Sequence, residues 1–459
     1  MSTPANKPLS MSRRGFMRGV LGTAAGTGML GALSACGDDG GSSSSSGEGD
    51  SGRLVFWHNY TQEARVNFMR EVADRFEESH PGTTVEIEVV PFPQFPTKWP
   101  AAQTAGNLPD VTTVLPEHAV SMWQAGALHP MDPVLEELGG SSAFVPGLLD
   151  KAAAYEDQHI LLPHYVHNRL LAHRTDILAD AGVSLPERPT WDEVLTAAQA
   201  TTKEPDQFGW MLKLSAADTG GGYLLWMLTH SAGGRFFDAD GTAMLDTPEV
   251  KRATEFLVEI GHTASGPGQV NYNINDNFSL INAGTTVLAE VSGAEIGIAA
   301  VDAPDIADKL ATTFMPTDVR PGNLIGAVSL ALPKGKNPTL AQEFAAFLYA
   351  EENYVPFLHT IPLFMFPALA SANSPEFFAE PTIAKYEATA QQTLAGVEEG
   401  SPPGFEDGPN PYTGPVFNSH AIEQMLQNIL VGGADVDSAL ATANQTVQAT
   451  LDDISSRLG

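Results

Sequence analysis

The chain has 459 residues, with 55 acidic and 24 basic side chains, a net charge of −31 at pH 7 and one cysteine. That length suits two or three domains with well-buried interiors, and the acidity disfavours nucleic acid and anionic lipid surfaces as partners. One thiol cannot form an intrachain disulfide, and the lack of a second long apolar segment after Cys36 excludes a channel or permease.

Ser12-Arg13-Arg14-Gly15-Phe16-Met17 sets a twin arginine ahead of an uncharged run, Gly19 to Ala35, that closes on Leu33-Ser34-Ala35-Cys36. The run is roughly 17 residues, at the lower limit for spanning a bilayer, and rich in glycine. It resembles a twin-arginine (Tat) export signal ending in a lipobox. That resemblance implies a lipid anchor on Cys36 and a body held at the cell surface, outside the cytoplasmic membrane. A single acyl chain holds only marginally, so a diacylglyceryl-type group is implied. Loss of Lys7, Arg13, Arg14 and Arg18 with the leader leaves a net charge of about −35, a surface suited to high salt. Residues 37–52, rich in Gly, Ser and acidic side chains, lack apolar periodicity and are expected to form a flexible tether.

Leu54 to Trp57 reads as a short strand, followed by the polar turn His58-Asn59-Tyr60-Thr61. Val66, Met69, Val72, Ala73 and Phe76 recur at helical spacing up to His80-Pro81-Gly82, and Val85, Ile87 and Val89 alternate as a second strand. Strand, helix, strand at this spacing predicts a parallel unit whose ligands sit beyond the carboxyl ends of its strands. A helix closed by Gly106 leads to a third strand from Val111 to Leu115, and Ile160 to Tyr165 ends the first α/β block. Further on, Trp191 to Thr202 is a helix capped by Thr190, Gly326 to Leu332 an apolar strand and Leu340 to Tyr349 an amphipathic helix. Ala421 to Leu458 is mostly helical with a break at Gly432-Gly433.

Several stretches together resemble family 1 extracellular solute-binding proteins of ABC importers, the maltose-, multiple-sugar- and glycerol-3-phosphate-binding group. They are Phe56-Trp57-His58, Phe76 to Val85 (FEESHPGTTV), Ala105 to Val111 (AGNLPDV) and Leu162-Pro163-His164-Tyr165, then Arg174 to Val183, Pro189 to Val194 and Gly233 to Asp238 (GGRFFD). Their order and spacing span about nine tenths of the chain after the leader. The resemblance implies an α/β, two-lobed, periplasmic-binding-protein-like (type II) fold, each lobe a mostly parallel sheet flanked by helices, hinged around a ligand cleft. Lobe 1 is expected to comprise residues 53–163 and 318–357, and lobe 2 residues 164–317 and 358–459. Crossings are expected near 163–165, 313–318 and 355–362.

A cleft for a sugar-like ligand needs aromatic faces for the ring and short polar groups for its hydroxyls. Trp57 is expected in the core, whereas His58, Asn59 and Tyr60 after the first strand are expected to face the cleft. Glu117, seven residues after Asp110, falls where the maltose-binding members carry an acid that takes ligand hydroxyls. His167 falls where those members place a second acid, so the change to an imidazole sets the ligand apart from theirs. Tyr165 closes the Leu-Pro-His-Tyr stretch, and Tyr223 and Trp226 resemble the family's Tyr-x-x-Trp. Ser292 and Gly293 fall at its small-residue turn near ligand. Phe364, Phe366, Tyr412 and Phe417 lie in irregular segments, and of these Phe364 and Tyr412 are taken as contacts.

His159, His164, His167 and His173 lack a completing carboxylate or cysteine set, and Asp238-Ala239-Asp240-Gly241 lacks the later calcium ligands, so neither metal nor cofactor is expected. Nucleophile elbow, zinc-protease and phosphate-loop signatures are absent from the sequence. These features point to a monomeric, lipid-anchored receptor that captures a mono- or oligosaccharide and hands it to an ABC permease and its ATPase. A glycerol 3-phosphate or polyol phosphate receptor, with Arg169 or Arg235 as the anion's partner, is an alternative, as is a secreted glycosidase. The lack of Lys and Arg between Lys385 and Arg457 weighs against the phosphate.

Overall fold

Leu54 and Phe56 are buried where Arg53 is exposed, and this alternation builds β1 (Arg53–His58) with one face in the core. The structure is a computed structural model that describes residues 52–458; the expectations for the leader, the Cys36 anchor and the tether up to Ser51 fall outside the described residues. After β1, the helix Glu63–Ser79 buries Met69, Val72, Ala73 and Phe76 and returns the chain to β2 (Thr84–Val89), parallel to β1. The helix Phe95–Ala105 ends at Gly106, whose φ of 67° suits a residue without a side chain. Beyond it lie β3 (Val111–Val114), parallel to β1, and the short β4 (Leu128–His129).

A small hairpin, β5 (Ala154–Tyr155) and β6 (Gln158–His159), precedes β7 (Leu162–Asn168). Then β8 (Leu170–Arg174), β9 (Phe208–Trp210), β10 (Thr286–Val291) and β11 (Leu310–Phe314) build a second sheet in the order β11-β8-β10-β9. The chain returns in β12 (Ile325–Pro333), which completes the first sheet, β2-β1-β3-β12-β4 with β7 also on β12. Within each sheet one strand opposes the others: β12 in the first and β8 in the second. Most strands of each lobe thus share one direction, but the pairings made by β12 and β8 are antiparallel, so both lobes are mixed α/β layers rather than the mostly parallel sheets expected.

The first and third crossings lie later than the sequence places them. β7 keeps pairing with β12 as far as Asn168, so the first crossing is at Arg169 rather than 163–165. The second runs between Phe314 and Ile325. Residues after 358 do not leave at once, because Phe366 exchanges backbone hydrogen bonds of 2.9 and 3.0 Å with Val166 of β7. Only from Val416 and Phe417 onward does the chain join the second core, around Trp210, Trp226, Leu257 and Leu426. The first core gathers Phe56, Phe76, Phe344, Phe357 and Phe366.

Between these stretches the helix Glu387–Glu399 packs on both β7 and β11. Thr389 meets Thr312 hydroxyl to hydroxyl at 2.9 Å, while Gly396 lies so close to Asn168 that a Cβ there would sit 1.9 Å from its amide nitrogen. One helix therefore rests on both sheets at the junction of the lobes. Among the described residues no helix is long and apolar enough to cross a membrane.

Candidate functional site

The turn after β1 does not face the cleft, which corrects the expectation for His58, Asn59 and Tyr60. Tyr60 is fully buried, stacked on the His58 ring at 5.0 Å and against Phe357 at 5.2 Å, with its hydroxyl 2.8 Å from His164 Nδ1. Its backbone N–H donates to His58 Nδ1 at 3.2 Å. Asn59 is spent on Thr113, donating its N–H at 2.9 Å and accepting the hydroxyl at 2.7 Å. Burial pulls the His58 and His164 pKa values down to about 4 and about 3, so both are neutral. Together they cement the sheet to the helix Glu351–Leu358.

The cleft lies beyond β7, in two compartments. The smaller, about 150 Å³, is walled by Leu115 and Glu117 on one side, Tyr165 and His167 of β7, Tyr223 of the second lobe, and Pro402 and Phe405 of a late loop. The larger, about 390 Å³, is bounded by Gln62, Asn275, Phe278, Ser292 and Glu295. Arg169 and Phe364 line both and mark where they meet.

His167 stacks on Phe364 at 4.8 Å and 26°, and lies over Gly326, where a Cβ would come within 2.1 Å of the ring. Burial, helped by the Arg169 charge, lowers its pKa to about 3, so the imidazole is neutral, and its Nδ1 is buried without a protein partner. Arg169 is also buried, with its Nε unpartnered. Both atoms lie buried behind the cleft wall without a protein partner.

Beneath them lies a compensated set of charges. Glu290 meets Arg169 at 3.1 Å and Lys213 at 2.7 Å. Burial alone would raise the Glu290 pKa, but the two cations outweigh it and hold the carboxyl below its ordinary value. Asn277 donates to the Glu290 carbonyl at 2.8 Å and to the Glu295 carboxylate at 3.2 Å. Glu295 in turn accepts the Ser292 N–H and hydroxyl, each at 2.9 Å. Two buried cations thus sit with two buried carboxylates.

Across the smaller compartment the Tyr223 hydroxyl stands 3.5 Å from the Glu117 carboxylate. Burial, with the Glu117 charge behind it, raises the phenol's pKa well above its ordinary value and keeps it a donor. Trp226 is a correction. Trp226 shares a helix face with Tyr223 but lies a turn further along, and only the Tyr223 end of Gly220–Ser231 reaches the cleft. The Trp226 indole is fully buried, donates to Glu406 at 2.7 Å and stacks on His230 at 5.0 Å.

Ser292 lines the larger compartment, but Gly293 does not. Its φ is 94° and a Cβ would lie 1.9 Å from the Leu363 carbonyl, so it serves as a close backbone approach. Tyr412 also departs from expectation, packing edge-on against Phe237 at 6.1 Å and over Gly241.

The structure therefore brings together Glu117, Tyr165, His167, Tyr223, Ser292 and Phe364 at the cleft, and leaves His58, Asn59, Tyr60, Trp226, Gly293 and Tyr412 outside it. Gln62, Asn275, Phe278 and Phe405 carried no sequence signal. Glu295 did, in Ser292-Gly293-Ala294-Glu295, whose ends follow the Ser-x-x-Glu capping pattern. Larger grooves, of about 410 and 570 Å³, each lie on one lobe, and a ligand there would not favour closure.

The family model of bacterial extracellular solute-binding proteins matches residues 60–355. The mannitol-binding protein of Pseudomonas aeruginosa is 26% identical over 260 residues, 55% of this chain and 58% of that protein, so the chain matches a little over half of that relative's length. Two solved structures are each 22% identical over 87% of this chain, with TM-scores of 0.70. One, from Thermotoga lettingae, is an ABC transporter solute-binding protein bound with α-D-tagatose and is covered to 99%. The other, from Agrobacterium vitis, is one with bound D-mannitol and is covered to 98%.

Proposed function

The chain belongs to the bacterial extracellular solute-binding protein family, and from that premise we propose that it captures a neutral sugar or polyol between its lobes for delivery to an ABC permease. One observation carries the neutral ligand. Arg169 on the wall and Lys213 behind it sit with the buried carboxylates Glu290 and Glu295, and Glu117 adds a further carboxylate to the wall. A phosphate would find no uncompensated cation there. A polyhydroxyl ligand suits the wall: the Tyr223 donor, the Glu117 acceptor, and aromatic faces on Tyr165 and Phe364.

Closure follows from the wall coming from both lobes: a ligand held by Glu117 and Tyr223 together favours the state in which they meet. The finer reading is of a monomeric receptor, anchored outside the membrane through Cys36, that returns its ligand unaltered. The test is a thermal-shift and calorimetry panel of mannitol, ribitol, tagatose, maltose and glycerol 3-phosphate, at low and high salt. A ligand at 100 times its Kd adds about 2.7 kcal/mol of stability. A shift with a neutral compound recovered intact is the expected outcome. A shift with glycerol 3-phosphate alone overturns the neutral ligand, and a cleaved maltose overturns the receptor.

A further inference from the structure

The wall of the smaller compartment includes Pro402 and Phe405, which lie in an irregular loop between the helices Glu387–Glu399 and Thr413–Asn418. Such a loop has no ladder of its own to hold it, so its shape depends on where it is fastened. At one end Ser401 exchanges backbone hydrogen bonds with the segment entering β12, accepting from Ile325 at 3.0 Å and donating to Asn323 at 3.3 Å. Phe405 donates its N–H to the Pro402 carbonyl at 3.0 Å, and the Gly404 carbonyl accepts the Asn410 amide at 2.6 Å and the Thr413 hydroxyl at 3.1 Å; just beyond them, a buried side chain adds a further fastening. Glu406 turns inward, its side chain 8% exposed, and accepts the Trp226 indole N–H at 2.7 Å. Its neighbour Asp407 pairs with Arg235 at 2.5 Å on the surface.

A buried carboxylate is costly unless its partners are fixed. Trp226 is fixed: it is fully buried and stacked on His230. Glu406 follows Phe405 directly in the chain, so the point where the carboxylate is held acts together with the turn bonds of Phe405 itself to set how that ring meets the cavity. Burial raises the Glu406 pKa above its ordinary value, with the indole bond acting against that rise.

We propose that Glu406, held by Trp226, is a positioning residue for ligand selection: it fixes Pro402 to Phe405 as a rigid wall of the smaller compartment and thereby sets the size of ligand the cleft accepts. This rests on the carbohydrate reading of the cleft, and the test separates the two. Glu406→Ala removes the acceptor, Glu406→Gln keeps an oxygen for the indole, and Trp226→Phe removes the donor while keeping a ring.

Hydrogen exchange of the ligand-free protein is measured first, and calorimetry with mannitol and maltose second. The expectation is faster exchange confined to residues 404–410 in Glu406→Ala and Trp226→Phe, at least tenfold, with near-parent exchange in Glu406→Gln. The mannitol-to-maltose affinity ratio should move by tenfold or more toward the larger probe in the first two and return in the third. Unchanged exchange in Glu406→Ala overturns the positioning role whatever the ligand. Changed exchange with an unchanged ratio overturns the role in selection. If the parent protein binds neither probe, the carbohydrate reading and the selection it supports both fall, and the exchange data still decide the fastening.

Discussion

Tyr223 and Glu117 face each other over the cleft, hydroxyl to carboxylate at 3.5 Å, from helices belonging to different lobes. The gap is at the outer limit of a hydrogen bond. A ligand hydroxyl set between them would accept from the phenol and donate to the carboxylate, replacing one poor contact by two good ones. Tyr223→Phe is expected to weaken binding of the ligand found in the panel by about tenfold, and Glu117→Gln by about tenfold to a hundredfold, since bonds to charged groups are the stronger. Calorimetry at one salt concentration checks both, and an unchanged Kd in either would remove that residue from the site.

Arg169 ties the hinge to the second sheet through Glu290. Glu290→Gln strands two buried cations, Arg169 and Lys213, and breaking a buried pair from one side costs about 3–5 kcal/mol. The double variant Glu290→Gln with Arg169→Met should recover part of that loss, because it leaves one stranded cation where Glu290→Gln alone leaves two. Urea unfolding of the ligand-free protein gives the comparison; equal losses in the single and double variants would mean the pair is not coupled.

Stability should fall on mild acidification. His58, His164, His167 and His230 have folded pKa values of about 4, 3, 3 and 4 against 6.5 unfolded, so the unfolded chain binds more protons below 6.5. Their contribution is complete above pH 6.5 and is lost as pH drops toward 3 to 4. Glu423 acts in the opposite sense. It is buried against the Gly222 N–H at 2.7 Å and raised from 4.5 to about 7, so its term is complete below 4.5 and lost as pH rises through 7. Unfolding midpoints from pH 3.5 to 8 should rise with pH overall, and Glu423→Gln should steepen the rise between 4.5 and 7. A flat profile would contradict the buried, neutral histidines.

Gly396→Ala places a methyl group 1.9 Å from the Asn168 amide nitrogen, at the contact between the straddling helix and β7. Overpacking of this kind costs about 1–3 kcal/mol. A drop in the ligand-free melting temperature larger than for Ala substitution at Gly106, where nothing lies within 4 Å, is the expected result. Because Gly106 has φ of 67°, Gly106→Ala carries its own backbone cost, so the comparison is conservative. Equal drops would show that the helix yields freely.

The parallel unit of β1, its helix and β2 was legible because its apolar periods are intact, and Glu117, Tyr165, His167, Tyr223 and Ser292, which line the compartments, stand at positions the family resemblance marks, whereas Phe364 was picked only for its irregular segment. The polar turn after β1 was misleading. His58, Asn59 and Tyr60 look like surface groups in sequence, and only the arrival of Phe357, Thr113 and His164 from elsewhere in the chain gives them buried partners. The sequence closes this strand at Tyr165, just past Pro163, a residue that cannot donate to a ladder. Here β12 shifts register between Val328 and Ser329, accommodates the proline and lets β7 run on to Asn168. Gln62, Asn275 and Phe278 reach the larger compartment through long-range packing that no local pattern announces.

The position of β12 also governs how the chain comes to be folded. Its partners β3, β4 and β7 are all complete by residue 168, yet β12 begins at Ile325, so the middle of the first sheet is empty until the whole second sheet has been synthesised. Pairings over such sequence distances are slow to form, because the loop must close before any contact rewards it. Until then β3 and β7 present unpaired edges, the surfaces on which nascent chains associate. Expression yield should therefore respond more to chaperone supply and growth temperature than to substitutions in the cleft.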